Sequence, residues 1–188
     1  MIPHETPIPG PAADFAGLLS ARIPVLETAR TRLRAPRLSD MDAWTEVLCG
    51  PATEHLGGPF TRDAAFAEFA TTTALWLLRG HGLWTVEARD GQVLGFVLIG
   101  FEPGDEEPEL GYLFRPIAQG QGLACEAAIA ARDFALKTLR LPSLVSYVAV
   151  DNAPSNALAA RLGACADGAL SGCTIWRHHP SPQQGAPA

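Results

Sequence analysis

The first third of the chain carries hydrophobic residues with a helical period. A helix is predicted to begin within residues 38–42, where Ser39 can cap the first turn together with Asp42. A second amphipathic helix is predicted to follow Thr61 and to end at Gly80, because glycine commonly terminates helices. The apolar face of the first helix consists of Met41, Trp44, Val47 and Leu48.

From residue 84 onward the pattern changes to that of strands. Residues 84–88 alternate apolar with polar side chains, Asp90-Gly91 supplies a two-residue turn, and residues 93–99 are continuously apolar. This arrangement predicts a β-hairpin. A strand over 109–114, a helix over 122–139 and a strand over 144–150 then form a predicted strand–helix–strand unit.

The last third of the chain predicts one more helix and a final strand. Pro154 suits the first turn of a helix, Gly163 suits its end, and residues 174–176 have the composition of a strand. Helices and strands therefore mix along the chain, which predicts an α/β (α+β) fold with a sheet of mixed direction.

The two ends of the chain differ from this pattern. Residues 1–13 contain four of the 16 prolines and no sustained apolar period. We therefore expect an N-terminal extension over 1–27 that is largely extended, a single domain over 28–179 and a C-terminal tail over 180–188.

Composition excludes several classes of protein. The net charge of −6 argues against sequence-independent nucleic-acid binding, and no apolar run has the length of a membrane span. The N-terminus lacks the basic start of a secretory signal, so a cytoplasmic protein is expected. The four cysteines and the histidines lack the spacing of a metal site, so no metal is predicted.

The segment from Gln119 to Ala124 is the strongest indication of chemistry, because its glycines lie at a strand-to-helix junction. Such a junction directs free N–H groups and the positive end of a helix dipole at one point, which favours an anion. A triphosphate loop would need a lysine, and none occurs after Gly122 before Lys137. A dinucleotide loop would need a small third residue, but this chain has Cys125 there. It would also need an acidic residue about 20 positions further on, and none occurs near that position.

A third pattern, Gln/Arg-x-x-Gly-x-Gly/Ala, is satisfied by Gln119, Gly122 and Ala124. This segment resembles the coenzyme A pyrophosphate loop of the GNAT superfamily of N-acetyltransferases. The motifs around it resemble the branch that includes the ribosomal-protein N-terminal (alanine/serine) acetyltransferases, and the resemblance covers about residues 28–179. These motifs are Thr31-Arg32-Leu33-Arg34, Leu38-Ser39-Asp40, Glu109-Leu110-Gly111-Tyr112, Asp151 to Ser155 and Arg161-Leu162-Gly163.

The resemblance implies a fold and a coenzyme. The fold would be a mixed, mostly antiparallel sheet with a central parallel strand pair splayed around the coenzyme A site, and with helices on both faces. The cosubstrate would be acetyl-CoA. Implied coenzyme-binding residues are backbone groups of Leu113, Phe114 and Arg115 for the pantetheine arm, the segment Gln119, Gly120, Gln121, Gly122, Leu123 and Ala124 for the pyrophosphate, and Asn152 and Ser155.

Two catalytic residues are implied. Glu109 would act as general base, directly or through a water, and Ser155 would donate a hydrogen bond to the sulfur of the leaving thiolate. Each has an ordinary alternative: Glu109 as a solvated carboxylate of an acidic loop, and Ser155 with Asn152 as helix caps. The tyrosine that many family members carry on this helix is absent from residues 153–162. Tyr112 and Tyr147 are interpreted as sheet residues.

The predicted function is transfer of an acetyl group from acetyl-CoA to a primary amine by direct attack in a ternary complex. The alternative is a non-catalytic acyl-CoA-binding module. The acceptor would be an amine-bearing small molecule or a protein N-terminus, and a homodimer is compatible with the resemblance. Residues 49–61, with His55, are expected to line the acceptor pocket.

Overall fold

Eight strands form one sheet in the computed structural model, which describes residues 2–181. In chain order they are β1 (Leu26–Glu27), β2 (Thr31–Arg34), β3 (Leu83–Ala88), β4 (Val93–Gly100), β5 (Glu109–Phe114), β6 (Val145–Ala149), β7 (Cys165–Leu170) and β8 (Cys173–Arg177). Their order across the sheet is β1-β2-β3-β4-β5-β6-β8-β7. All neighbours are antiparallel except the central pair of β5 and β6, which confirms the predicted sheet.

Helices cover both faces of this sheet, as expected. They are α1 (Pro11–Ser20), α2 (Met41–Leu48), α3 (Arg62–Arg79), α4 (Leu123–Asp133) and α5 (Ala153–Arg161). Side chains alternate along β4, so that Phe96 packs with α2 and α3 while Val97 packs with α4. Ala127, Ala128 and Ala131 of α4 are fully buried, and these small side chains let the helix lie close to the sheet.

The boundaries of the predicted helices are mostly confirmed, and their caps only in part. Thr61 caps α3 by accepting a hydrogen bond from the N–H of Ala64 at 3.2 Å. The predicted Ser39 cap is wrong, because residues Leu38–Asp40 form a 3-10 turn before α2. Within this turn the carboxylate of Asp40 accepts the N–H of Arg37 at 2.9 Å. The helix predicted over 122–139 is α-helical as far as Asp133 and continues as a π-helical turn at Phe134–Thr138.

The N-terminal extension is not largely extended, so that expectation is wrong. Residues Pro11–Ser20 form α1, in which Pro11 occupies the first turn with a backbone angle suited to helix entry. The residues after Pro11 are mostly good helix formers, and the proline content of the segment obscured them. No residue of α1 is buried, and Phe15 and Leu18 are exposed. The domain boundary at residue 28 stays a prediction.

Strand β7 is the other difference from the sequence pattern. It lies at the edge of the sheet, where almost all of its residues are exposed, so it lacks the apolar alternation that predicts a strand. Among residues 2–181, none of the helices combines the length and the apolar character needed to cross a membrane.

Candidate active site

The central strands β5 and β6 separate soon after they meet. They are aligned at one position, Glu109 beside Val145, where the N–H of Val145 donates to the C=O of Pro108 at 3.0 Å. Beyond this point a V-shaped opening lies between the two strands. The N-terminal ends of α4 and α5 follow β5 and β6 in the chain and border this opening.

The hydrogen bonds to β4 determine which groups of β5 face the opening. The N–H of Arg115 donates to the C=O of Leu94 at 3.0 Å, and bonding alternates along an antiparallel ladder. Leu113 therefore also pairs with β4, whereas the backbone groups of Tyr112 and Phe114 point into the opening.

This geometry corrects the expected pantetheine contacts. Both backbone groups of Arg115 are already used, since its C=O accepts the N–H of Ala118 at 2.9 Å. The expectation fails for the backbone of Leu113 and Arg115, and of the three residues Phe114 alone faces the opening. The Phe114 C=O accepts a hydrogen bond from Nε2 of Gln119 at 3.3 Å.

The predicted pyrophosphate loop has the backbone conformation that its glycines allow. Gly120 and Gly122 have φ values of +73° and +74°, in the left-handed region that favours glycine. Within residues 2–181, the N–H groups of residues 120–124 have no hydrogen-bond acceptor. Because they precede and begin α4, these N–H groups and the helix dipole together can attract an anion.

An arginine that the sequence pattern did not indicate lies beside this loop. Arg30 donates from Nη1 to the C=O of Gln121 at 3.0 Å and from Nε to Glu126 at 2.7 Å. Although burial alone would raise the pKa of Glu126, hydrogen bonds from Thr28 and Arg30 lower it. Glu126 is thereby directed at the turn before β2, and its pair with Arg30 holds the guanidinium N–H groups beside the loop. Arg30 lies some 90 residues away in sequence, so local spacing gives no signal for it.

Glu109 is half-buried at the apex of the opening. Its Oε1 accepts a hydrogen bond from the N–H of Tyr147 at 3.3 Å. Burial raises the pKa of Glu109 to about 7; the N–H of Tyr147 opposes this rise, and the carboxylates of Asp105 and Glu102 add to it. A carboxyl group with this pKa can both accept and release a proton near neutral pH.

The acidic loop between β4 and β5 is attached to β6 by Tyr147. Its hydroxyl accepts the N–H groups of Glu106 at 3.2 Å and Glu107 at 3.1 Å. Glu107 forms a bidentate pair with Arg177 at 2.7 and 2.8 Å, and this pair lowers its pKa to about 2. By contrast, Glu109, Asp105 and Glu102 form no ion pair within residues 2–181.

The first turn of α5 forms the other wall of the opening. Oδ1 of Asn152 accepts the N–H of Ser155 at 3.2 Å, so Asn152 acts as the helix cap that the alternative interpretation describes. The hydroxyl of Ser155 makes no hydrogen bond within the described part of the chain. Nδ2 of Asn156 donates to the C=O of Ala149 at 2.9 Å and holds this turn against the end of β6.

Tyr112 connects the two walls of the opening. Its ring packs against the core, as interpreted from the sequence, and its hydroxyl donates to the C=O of Ser155 at 3.1 Å. Burial, with smaller contributions from Glu109 and Cys125, raises the pKa of Tyr112 well above its ordinary value. Sequence spacing does not indicate this contact, because it depends on how far the strands separate.

The segment expected to line the acceptor pocket contacts the same wall. Residues Pro51–Leu56 form a 3-10 helix in which Nδ1 of His55 lies 3.3 Å from Oδ1 of Asp151. Asp151 immediately precedes the cap of α5, so this segment lies beside the opening. No group of three or more potential metal-ligating side chains occurs among residues 2–181.

A family comparison agrees with this geometry. The sequence model of the family described as acetyltransferase (GNAT) domain matches residues 30–164. The chain belongs to the GNAT acetyltransferase family. It is therefore an acetyltransferase, and the resemblance drawn from its motifs is confirmed.

Solved GNAT structures share the fold. An acetyltransferase from Agrobacterium tumefaciens C58 is 35% identical, with a TM-score of 0.79 over 84% of this chain and 95% of that chain. RimL, a ribosomal L7/L12 alpha-N-protein acetyltransferase solved with coenzyme A, is 18% identical, with a TM-score of 0.69 over 84% and 98%. RimJ from Mycobacterium smegmatis, solved with CoA-disulfide, is 19% identical, with a TM-score of 0.64 over 83% and 87%. At these identities RimL and RimJ support the fold alone.

Proposed function

We propose that this GNAT protein transfers an acetyl group from acetyl-CoA to a primary amine by direct attack in a ternary complex. The observation that carries this proposal is the position of Glu109, a half-buried carboxyl group with a pKa of about 7 at the apex of the opening. Few carboxyl groups titrate so near neutral pH, and a general base is most effective there.

The coenzyme would bind along the opening and against α4. The free N–H groups of residues 120–124 would hold the pyrophosphate, with the guanidinium of Arg30, paired with Glu126, as a further hydrogen-bond donor beside them. Backbone groups of Phe114 and Tyr112 would pair with the pantetheine arm, in the way that one strand pairs with another. This arrangement would direct the thioester towards Glu109.

Glu109 would prepare the acceptor for attack. An amine is mostly protonated at neutral pH, since an α-amino group has a pKa of about 7.7 to 8.0 and a lysine side chain about 10.4. Glu109 would take this proton, directly or through a water, and the neutral amine would attack the carbonyl carbon. As the C–N bond forms and the C–S bond breaks, the proton that the nitrogen loses would pass to the leaving thiolate. The N–H of Phe114 or Tyr112 would polarise the carbonyl, because both groups face the opening.

The leaving thiolate would be stabilised by the first turn of α5. The hydroxyl of Ser155 is free of other hydrogen bonds within residues 2–181 and can donate to the sulfur. The positive end of the α5 dipole acts in the same direction, because it favours a nearby anion. Asn152 would contribute through the cap that positions Ser155.

The acceptor side favours a cationic amine. The carboxylates of Glu109, Asp105 and Glu102 lie together without ion-pair partners, so they attract an ammonium group before it loses its proton. We propose an amine-bearing small molecule or a protein N-terminus. RimL, which shares the fold, is a ribosomal L7/L12 alpha-N-protein acetyltransferase, so peptide N-termini are included among the acceptors to be tested.

Two measurements test the function. Acetyl-CoA, but not NAD or ATP, should raise the melting temperature, because a ligand that binds only the folded state stabilises it. A panel of peptide N-termini, amino acids and diamines, followed by release of the coenzyme A thiol, should then identify an acceptor. Stabilisation by acetyl-CoA without turnover of any amine would favour the non-catalytic binding module. No stabilisation at millimolar acetyl-CoA would refute coenzyme binding.

A further inference from the structure

The first missing hydrogen bond between β5 and β6 is replaced by two side chains. After the aligned position at Glu109 and Val145, a parallel ladder would continue with a bond from the N–H of Tyr147 to the C=O of Leu110. Instead, the N–H of Tyr147 donates to Oε1 of Glu109 at 3.3 Å. The C=O of Leu110 accepts a hydrogen bond from Oγ of Ser146 at 2.6 Å. The opening therefore begins where a carboxylate and a hydroxyl take the place of a backbone bond.

The hydroxyl of Ser146 is itself held by His178. Oγ lies 2.9 Å from Nε2 of His178, and the two residues are 2% and 3% exposed. Because the hydroxyl proton goes to Leu110, Oγ accepts from Nε2, and the histidine carries its proton there. Burial, with Arg132 and His179 acting in the same direction, lowers the pKa of His178 to about 4, so the ring is neutral.

The backbone fixes the position of this ring. The N–H of His178 donates to the C=O of Leu144 at 2.9 Å, directly before β6. Nδ1 of His178 is buried without a hydrogen-bond partner in residues 2–181, so Nε2 alone connects the ring to its surroundings through a hydrogen bond. His178 therefore acts on Ser146, and through it on Leu110.

We propose that Ser146 and His178 are positioning residues that keep β5 and β6 apart at the apex and leave the N–H of Tyr147 free to hold Glu109. This inference rests on the proposed role of Glu109. Without the hydroxyl, the C=O of Leu110 regains its regular partner in Tyr147, and the ladder extends towards the coenzyme loop by about 3 Å per residue paired. Glu109 then loses the hydrogen bond that orients it.

Two variants of His178 separate the hydrogen bond from the packing. His178→Leu removes the donor, whereas the side-chain amide of His178→Gln can present an N–H at the place of Nε2. We expect His178→Leu to lower kcat by about 10- to 100-fold, since small misplacements of reacting groups have effects of this size. The KM for acetyl-CoA should change by less than about twofold, because the residues proposed to bind the pyrophosphate lie far from the apex. His178→Gln should restore most of kcat.

Ser146→Ala should reproduce the loss of kcat. The double variant with His178→Leu should lose no more than Ser146→Ala alone, because both residues act through one hydroxyl. Calorimetric coenzyme A binding and thermal melting would show that each variant is folded.

His81→Leu provides the matched control. His81 is 4% exposed, and its Nδ1 lies 2.7 Å from the C=O of Ile99, on the side of β4 away from β5. Its replacement should lower the melting temperature and leave kcat near the wild-type value. Equal kcat in His178→Leu and wild type, or equal losses in the Leu and Gln variants, would overturn the inference.

Amide hydrogen exchange gives a readout that does not depend on turnover. In Ser146→Ala the N–H of Tyr147 should exchange more slowly, because it enters the ladder. If the wild-type protein acetylates no amine, the proposed function fails, and this exchange rate still decides the role of Ser146. Unchanged exchange at Tyr147 would count against the inference in either case.

Discussion

The two sides of the opening between β5 and β6 consist of different chemical groups. The coenzyme side consists of backbone N–H groups, two glycines with positive φ and one helix end, all within residues 119–124. The acceptor side consists of carboxylates and their supporting side chains, which come from β5, from the loop before it and from β6. The first is a compact sequence motif, and the second exists only after folding. In the proposed function, the first side would bind coenzyme A and the second would select the amine.

The largest expected effect is on the acceptor side. Glu109→Gln should lower kcat by about 100-fold or more, because it removes a general base of suitable pKa. Coenzyme A affinity should stay within about twofold, since the coenzyme side is unchanged. In the wild-type enzyme, kcat/KM should fall as the pH drops through about 7, where Glu109 becomes protonated.

In Glu109→Gln this part of the pH profile should disappear, and only the ionisation of the acceptor amine should remain. The measurement is a series of steady-state assays between pH 5.5 and 9, with coenzyme A binding measured by calorimetry. Equal turnover in variant and wild type would remove Glu109 from the mechanism.

An intermediate effect is expected on the coenzyme side. Gly122→Ala should weaken acetyl-CoA binding by about 10-fold, because a non-glycine residue at this φ costs about 1 to 2 kcal/mol. Its Cβ would also lie 3.6 Å from Nη2 of Arg30. With saturating acetyl-CoA, kcat should remain near the wild-type value.

Gly91→Ala is the control for this substitution. Gly91 has a φ of +88° in the turn between β3 and β4, where an added Cβ meets no atom within 4 Å. It should lower stability in the same way without changing coenzyme affinity. Equal coenzyme affinity in Gly122→Ala and Gly91→Ala would argue against the proposed pyrophosphate loop.

The smallest expected effect concerns the charge around Glu109. Glu102→Gln should reduce kcat/KM for a cationic acceptor by about two- to threefold at low salt, because an exposed carboxylate attracts an ammonium group only weakly. The effect should diminish at high salt. Glu107→Gln is the informative comparison, since Arg177 already neutralises Glu107 and its loss should change stability rather than kcat/KM. A salt-independent change in kcat for Glu102→Gln would show that charge attraction is not its role.

The contrast between the two sides also explains how much the sequence could predict. The loop at residues 119–124 and the strand that begins with Glu109 were predictable, because glycine placement and apolar period are local properties. Arg30, Tyr147 and His178 were not, because each reaches the site through contacts more than 30 residues distant in sequence. Which backbone groups of β5 face the opening was not predictable either, since the alternation of β5 depends on its pairing with β4.

The same reasoning applies to the parts of the fold that were missed. Strand β7 buries almost nothing and lacks the apolar alternation on which prediction depends, whereas the helix formers of α1 were obscured by the prolines around them. The central strands and α4 do carry an apolar period, and there the predicted and observed elements agree.

The close contact of α4 with the sheet bears on the thermodynamics of coenzyme binding. Because Ala127, Ala128 and Ala131 are fully buried, the helix has little freedom to tilt, and the N–H groups at its start keep one orientation. A ligand that meets an already ordered site loses less of its binding free energy to ordering the protein. Larger side chains at these alanines would lift the helix from the sheet and increase the unfavourable entropy of binding, even though none of them belongs to the loop at residues 119–124.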